Sequence, residues 1–154
     1  MSTHFAAYPA GRPADRDGPE HGERVDLSTM PGARIIQFAV SHPRGDVTLI
    51  VVAGEIDLCT APRLRDMLLR AYGSRVSTMV VDLSPVTFFA AAGLTTLIEA
   101  QAAAEQAAGR MVLITTVRCV DRVIEITGLS TTFRRVGSLA AALAETATGC
   151  EAGV

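Results

Sequence analysis

The segment Val47-Thr48-Leu49-Ile50-Val51-Val52-Ala53 is apolar at every position but one and rich in β-branched residues. That run restricts the chain more than any other feature. Successive side chains of a strand point to opposite faces, so a half-buried strand alternates apolar with polar residues. A strand without that alternation must bury both faces, which is the situation of an inner strand in an α/β sheet. Ahead of it, Ile35-Ile36-Gln37-Phe38-Ala39-Val40 reads as a first strand. The intervening His42-Pro43-Arg44-Gly45-Asp46 carries the Pro and Gly of a turn. The two strands are expected to form an antiparallel hairpin.

Downstream, strands and helices alternate. Asp57 to Pro62 reads as a helix entry, with Thr60 as N-cap and Pro62 in the first turn, where a missing N–H costs nothing. Ala61, Leu64, Leu68 and Ala71 follow one helical face, Met67 lies beside them, and Gly73 ends the helix. A third strand spans Thr78 to Leu83. A long helix over about residues 91–108 carries Leu94, Leu97, Ile98, Gln101 and Ala104 along one stripe, with Gly109 as its left-handed stop. Met111 to Thr115 is a fourth strand. A short helix turns Val120, Val123 and Ile124 inward and ends at Gly128. Thr132 to Val136 reads as a short edge strand with its arginines in solvent. Ser138 caps a last helix whose inner face holds Leu139, Ala142 and Leu143.

The order β-β-α-β-α-β-α-β-α predicts an α/β fold: a mixed sheet, mostly parallel after the N-terminal hairpin, with helices packed against it. Loops leaving the carboxyl ends of parallel strands gather at one edge, where such folds place their working sites. The loops after Gly54, Leu83 and Thr115 are therefore expected to be neighbours.

A chain of 154 residues, 49% hydrophobic, supports one domain with a real core, built from aliphatic side chains because Trp is absent. Residues 1–31 are rich in Gly, Pro and charge and read as a disordered tail, in which His4 and His21 are solvated. The domain is expected over residues 32–149, with a flexible end over 150–154. A formal charge of −2 gives no basic surface for nucleic acid. No apolar run is long enough for a membrane span. The start lacks the pattern of a secretory signal, and three cysteines make no secreted disulfide framework. The cytoplasm is the expected location.

Phosphate-binding glycine loops and a nucleophile elbow are missing. His42 is the one histidine after the tail, which leaves a Ser or Cys nucleophile without an obvious base. Cys59 and Cys119 have no neighbouring ligand cluster for zinc. The chain thus reads as a binding protein rather than an enzyme, with no catalytic residue, cofactor or metal expected.

Three segments, in order and on matching elements, carry a family resemblance: Gly54-Glu55-Ile56-Asp57 with Thr60-Ala61; Val80-Val81-Asp82-Leu83-Ser84-Pro85-Val86-Thr87-Phe88-Phe89 leading into Gly93-Leu94; and Val123-Ile124-Glu125-Ile126-Thr127-Gly128-Leu129. From about Arg34 to Ala147 the chain resembles the STAS (sulfate transporter and anti-sigma antagonist) family, and bacterial anti-sigma-factor antagonists in particular. The resemblance implies a protein switch that binds an anti-sigma factor, often a serine kinase, and frees a sigma factor for transcription. Partner contacts are then expected at Glu55, Asp57, Thr87, Phe89, Ala90, Ala91, Ala92, Gly93 and Leu94. Asp57 is expected to be mainly structural, and of Phe88 and Phe89 one should point inward and the other outward.

The family's switch motif is Asp-Ser-Ser/Thr-Gly, and its first hydroxyl residue takes the phosphate. Here Ala90-Ala91-Ala92 stands at those three positions. Ala91 has no oxygen for phosphate, so the usual switch is absent. Ser84, Thr87, Thr95 and Thr96 lie close by but read as structural. The implied protein is an antagonist without phosphoserine control; the alternative is a non-switching STAS scaffold within a stress-sensing or transport-associated complex. Cys59 and Cys119 each open a helix at the working edge, a position that favours a reactive thiol. A bridge between them would close a loop of about 60 residues, worth on the order of 4 kcal/mol, and makes them a candidate redox pair. Cys150, in the polar C-terminal end, reads as a free thiol.

Overall fold

The computed structural model describes residues 35–71 and 77–151. The tail over residues 1–31, the helix stop at Gly73 and residues 152–154 fall outside the described residues. The hairpin pairs β1 (Ile36–Arg44) with β2 (Val47–Ile56), antiparallel, through a turn at Gly45-Asp46. Strand β1 therefore runs through Pro43, which was expected in the turn. Proline is tolerated there because β1 is an edge strand and its register shifts between Ser41 and Arg44.

Helix α1 (Ala61–Ala71) leads to β3 (Thr78–Asp82), and a further strand, β4 (Val86–Phe89), precedes α2 (Ala91–Gln106). Then come β5 (Arg110–Ile114), α3 (Arg118–Ile126), β6 (Arg134–Val136) and α4 (Leu139–Glu151). The main sheet has the order β1-β2-β3-β5-β6, parallel from β2 onward, and β4 pairs with β2 alone. The expected order lacks β4, which lies within the stretch expected as the loop after Leu83.

The unbroken apolar run of β2 is explained by two cores. Ile50, Val52 and Ile56 join Met79, Val81, Met111 and Leu113 in packing against Leu64 and Leu68 of α1, Leu94 and Leu97 of α2, and Val120 and Ile124 of α3. Val47, Leu49 and Val51 belong to a smaller cluster with Val80, Val112, Ile114 and Ala142 of α4. Three helices thus cover one face of the sheet and α4 serves the other. Helix α2 packs more extensively on α1 than on α3, which rotates its buried face. Gly93, Thr96 and Ala100 are buried, whereas Ile98 of the expected stripe is exposed.

The two middle helix ends differ in an instructive way. At the end of α3, Gly128 takes the left-handed conformation expected of it, and Leu129 N–H donates back to Ile124 O at 3.1 Å. At the end of α2 the same motif forms, but Ala108 holds the left-handed position (φ 55°) and Gly109 N–H donates to Ala104 O at 2.8 Å. The glycine lies one residue beyond the place where its freedom is needed. Ser138 caps α4 as expected, its Oγ accepting from Ala141 N–H at 3.1 Å.

Candidate partner-binding site

Strand β2 outlasts its neighbour. Val47 to Val51 pair with β3, and the segment from Gly54 to Ile56 continues beyond it, where β4 supplies the next partner. The change of partner takes place at Gly54. Its φ is +103°, and a Cβ there would lie 2.1 Å from the backbone oxygen of Ile35, so only glycine fits. The register shifts at this point: Gly54 is opposite Val86, Glu55 opposite Phe88 and Ile56 opposite Phe89, leaving Thr87 as the extra residue. Gly54 N–H donates to Pro85 O, and Thr87 Oγ1 donates to Gly54 O, both at 3.3 Å.

Residues opposite one another in a parallel pair share a face. Ile56 and Phe89 both point into the core, with Phe89 only 4% exposed. Glu55 and Phe88 both point outward, and Phe88 is 49% exposed. Phe89 was expected among the contact residues; the period-2 pleat assigns it to the core and leaves Phe88 at the surface.

Helix α2 starts immediately after β4. Ala90 donates its N–H to Ile56 O at 2.8 Å and acts as N-cap with extended backbone (φ −98°, ψ 169°), yet offers no side-chain acceptor. Ala91 is exposed, Ala90 and Ala92 are half-buried, and Gly93 and Leu94 are buried. Gly93 is under the Phe89 ring, where a Cβ would come within 2.8 Å.

The loop after β2 is organised by Asp57. Its buried carboxylate accepts from Cys59 N–H at 2.8 Å and Thr60 N–H at 3.0 Å. Thr60 was expected to cap α1 with its hydroxyl; instead that hydroxyl accepts from Asp57 N–H at 2.9 Å and donates to Glu55 O at 2.8 Å. The two side chains lock the turn and leave Leu58 79% exposed at its tip, with Cys59 exposed beside it. The third turn reaches the same place. Leu83 N–H bonds to Ile114 O at 2.9 Å, and half-buried Cys119, in the first turn of α3, holds its Sγ 3.8 Å from Val86 O. Both thiols are free.

Of the expected site residues, Glu55, Thr87 and Ala91 are presented at the surface, while Asp57, Phe89, Gly93 and Leu94 hold that surface from beneath. Sequence reasoning missed Leu58, a large apolar residue within a polar loop, and did not separate Phe88 from its neighbour. Among the described residues no three His, Cys, Asp or Glu side chains are grouped to hold a metal, and no helix is long and apolar enough to cross a membrane.

The STAS domain family matches residues 39–145. The chain belongs to the STAS family. Its fold is similar to that of an anti-sigma factor antagonist from Mycobacterium paratuberculosis, 29% identical, with a TM-score of 0.64 over 73% of this chain and 94% of that one. It is also similar to an anti-sigma-factor antagonist STAS domain protein from Planctomyces limnophilus (19% identical, TM-score 0.60, 71% and 97% covered). A third similar structure is the Bacillus cell fate determinant SpoIIAA in its phosphorylated form (18% identical, TM-score 0.57, 71% and 98% covered). No curated protein matches the chain significantly. In this STAS domain, the edge carrying the β2–α1 turn, strand β4 and the start of α2 is the natural candidate for a docking surface.

Proposed function

We propose that the chain is an anti-sigma factor antagonist that binds an anti-sigma factor, of the serine-kinase type, and so releases a sigma factor without being switched off by phosphate at the usual position. The observation that carries this reading is the start of α2: Ala91 is exposed beside the turn bearing Leu58, in a position where no side-chain oxygen is available. A phosphoryl group adds nearly two negative charges, so a helix start with no hydroxyl at residues 90–92 keeps its unmodified, docking-competent form. The likeness to the mycobacterial antagonist, at 29% identity over most of both chains, supports the same reading.

Two assays test it. Purified chain is titrated into each candidate anti-sigma factor of its organism, and sigma-dependent transcription is followed in vitro. Saturable binding with recovery of transcription is the expected result. Binding without release of sigma favours a scaffold instead, and absence of binding to every candidate removes the reading. Oxidative control through Cys59 and Cys119 belongs to the same proposal and rests on their positions at the openings of α1 and α3. Oxidant should produce a bridge that Cys59→Ser and Cys119→Ser each abolish; an oxidised chain with no bridge would eliminate that part alone.

A further inference from the structure

The outward pair Glu55 and Phe88 belongs to neither core cluster. Both residues are at the bulged end of the β2–β4 ribbon, directly opposite one another, on the face away from Ile56, Phe89 and the start of α2. Adjacent strands are about 4.8 Å apart, so the two side chains leave the same face from neighbouring positions. Among the described residues the Glu55 carboxylate has no ion-pair partner. Three arginines are committed elsewhere: Arg65 to Glu99, Arg134 to Glu145, Arg135 to Asp121. Arg44 is held by Leu143 and Thr146 of α4. An exposed phenyl ring next to an unpaired carboxylate is a matched receptor for one side chain. A guanidinium can stack on the ring face while its N–H fork meets the carboxylate, which a lysine ammonium cannot do equally well.

We infer that the docking surface continues over the carboxyl edge onto the back of the β2–β4 ribbon, and that the partner protein places an arginine between Glu55 and Phe88. This rests on the proposed binding of an anti-sigma factor and adds the chemistry of one partner contact to it. The bulge at Gly54 has a role in that contact, since the shift in register brings Phe88 rather than Thr87 opposite the carboxylate.

The test measures Kd for the anti-sigma factor that binds the unaltered chain, with Glu55→Gln, Phe88→Ala and the double variant. Each single change should raise Kd about tenfold, and the double change clearly less than the product, because both remove contacts to the same group. Glu55→Gln should also flatten the dependence of the association rate on salt. Reversing the charge with Glu55→Arg should be rescued by an arginine-to-glutamate change in the partner and by no lysine change. Glu55 is exposed and Phe88 about half exposed, so thermal midpoints should fall by no more than a few degrees and serve as the folding control. Single variants that bind like the unaltered chain, or that combine additively, overturn the inference and leave the proposed function standing. If no anti-sigma factor binds the unaltered chain, the proposed function fails first and this contact with it.

Discussion

Gly93 lies so close under Phe89 that a Cβ at position 93 would sit 2.8 Å from Phe89 Cε2 and 2.6 Å from Ile56 Cγ2. This contact sets the height of the α2 start against the β2–β4 ribbon, because Phe89 and Ile56 are both buried within the main core. Gly93→Ala gains about 1 kcal/mol of helix propensity and loses about 1–3 kcal/mol to overpacking. A net destabilisation of about 1 kcal/mol is expected, with a larger loss for Gly93→Val. Urea denaturation followed by circular dichroism measures it, and a more stable alanine variant would contradict the packing described.

Gly54 poses a harder constraint. Its forbidden Cβ meets the backbone oxygen of Ile35 at 2.1 Å rather than the end of a side chain, and its φ of +103° suits glycine alone. Gly54→Ala should therefore cost more than Gly93→Ala, about 3 kcal/mol or above, and should weaken partner binding even in the folded fraction, because β4 loses its register on β2. Comparing the denaturation midpoints of the two variants checks the ranking.

Ala108→Gly is expected to stabilise the chain. Ala108 occupies the left-handed position that ends α2, and relieving that conformation at a helix C-terminus is worth about 1 kcal/mol. An upward shift in the thermal midpoint by a few degrees would confirm it. Gly109→Ala, one residue later, should bring no such gain.

Sequence and structure agree where a single physical rule decides the outcome, and separate where two rules compete. The apolar run of β2 has one solution, burial on both sheet faces, and it is found in two cores. The helix stop at Gly128 is legible for the same reason. Gly109 misleads because glycine marks the neighbourhood of a stop but not the residue. Strand β4 was hidden by its length, since Val86 to Phe89 make four residues after a proline and pair only with the overhanging end of β2. Once β4 is seen, the pleat separates buried Phe89 from exposed Phe88. The candidate site is legible as a region of the chain, whereas the division of its residues into surface and support depends on that missed strand.

Asp57 is one of the supporting residues. Its carboxylate satisfies the amides of Cys59 and Thr60 at the entry to α1, and removing a buried acceptor leaves those donors unpaired. Asp57→Ala should destabilise the chain by about 2 kcal/mol. Affinity for the partner should fall further than Leu58→Ala alone would cause, because the whole Leu58 turn loosens. Equal affinities for the two variants would show that the turn does not need its carboxylate to be presented.

The start of α2 yields the most direct prediction. Ala90 has N-cap geometry without a capping group, so Ala90→Asp should stabilise the chain by about 1 kcal/mol. Adding Ala91→Ser then supplies an exposed hydroxyl at the first residue of the helix. If a serine-kinase anti-sigma factor is the partner, the double variant should gain one phosphoryl group in the presence of ATP, detectable by intact mass. The phosphorylated form should bind that partner at least tenfold more weakly, since about 1.4 kcal/mol of repulsion suffices for that change. The unaltered chain under the same conditions should acquire no phosphate on residues 90–92. A double variant that binds the kinase tightly and is never modified would mean that the partner approaches a different edge of the sheet. Phosphorylation without loss of affinity would separate the modified surface from the docking surface.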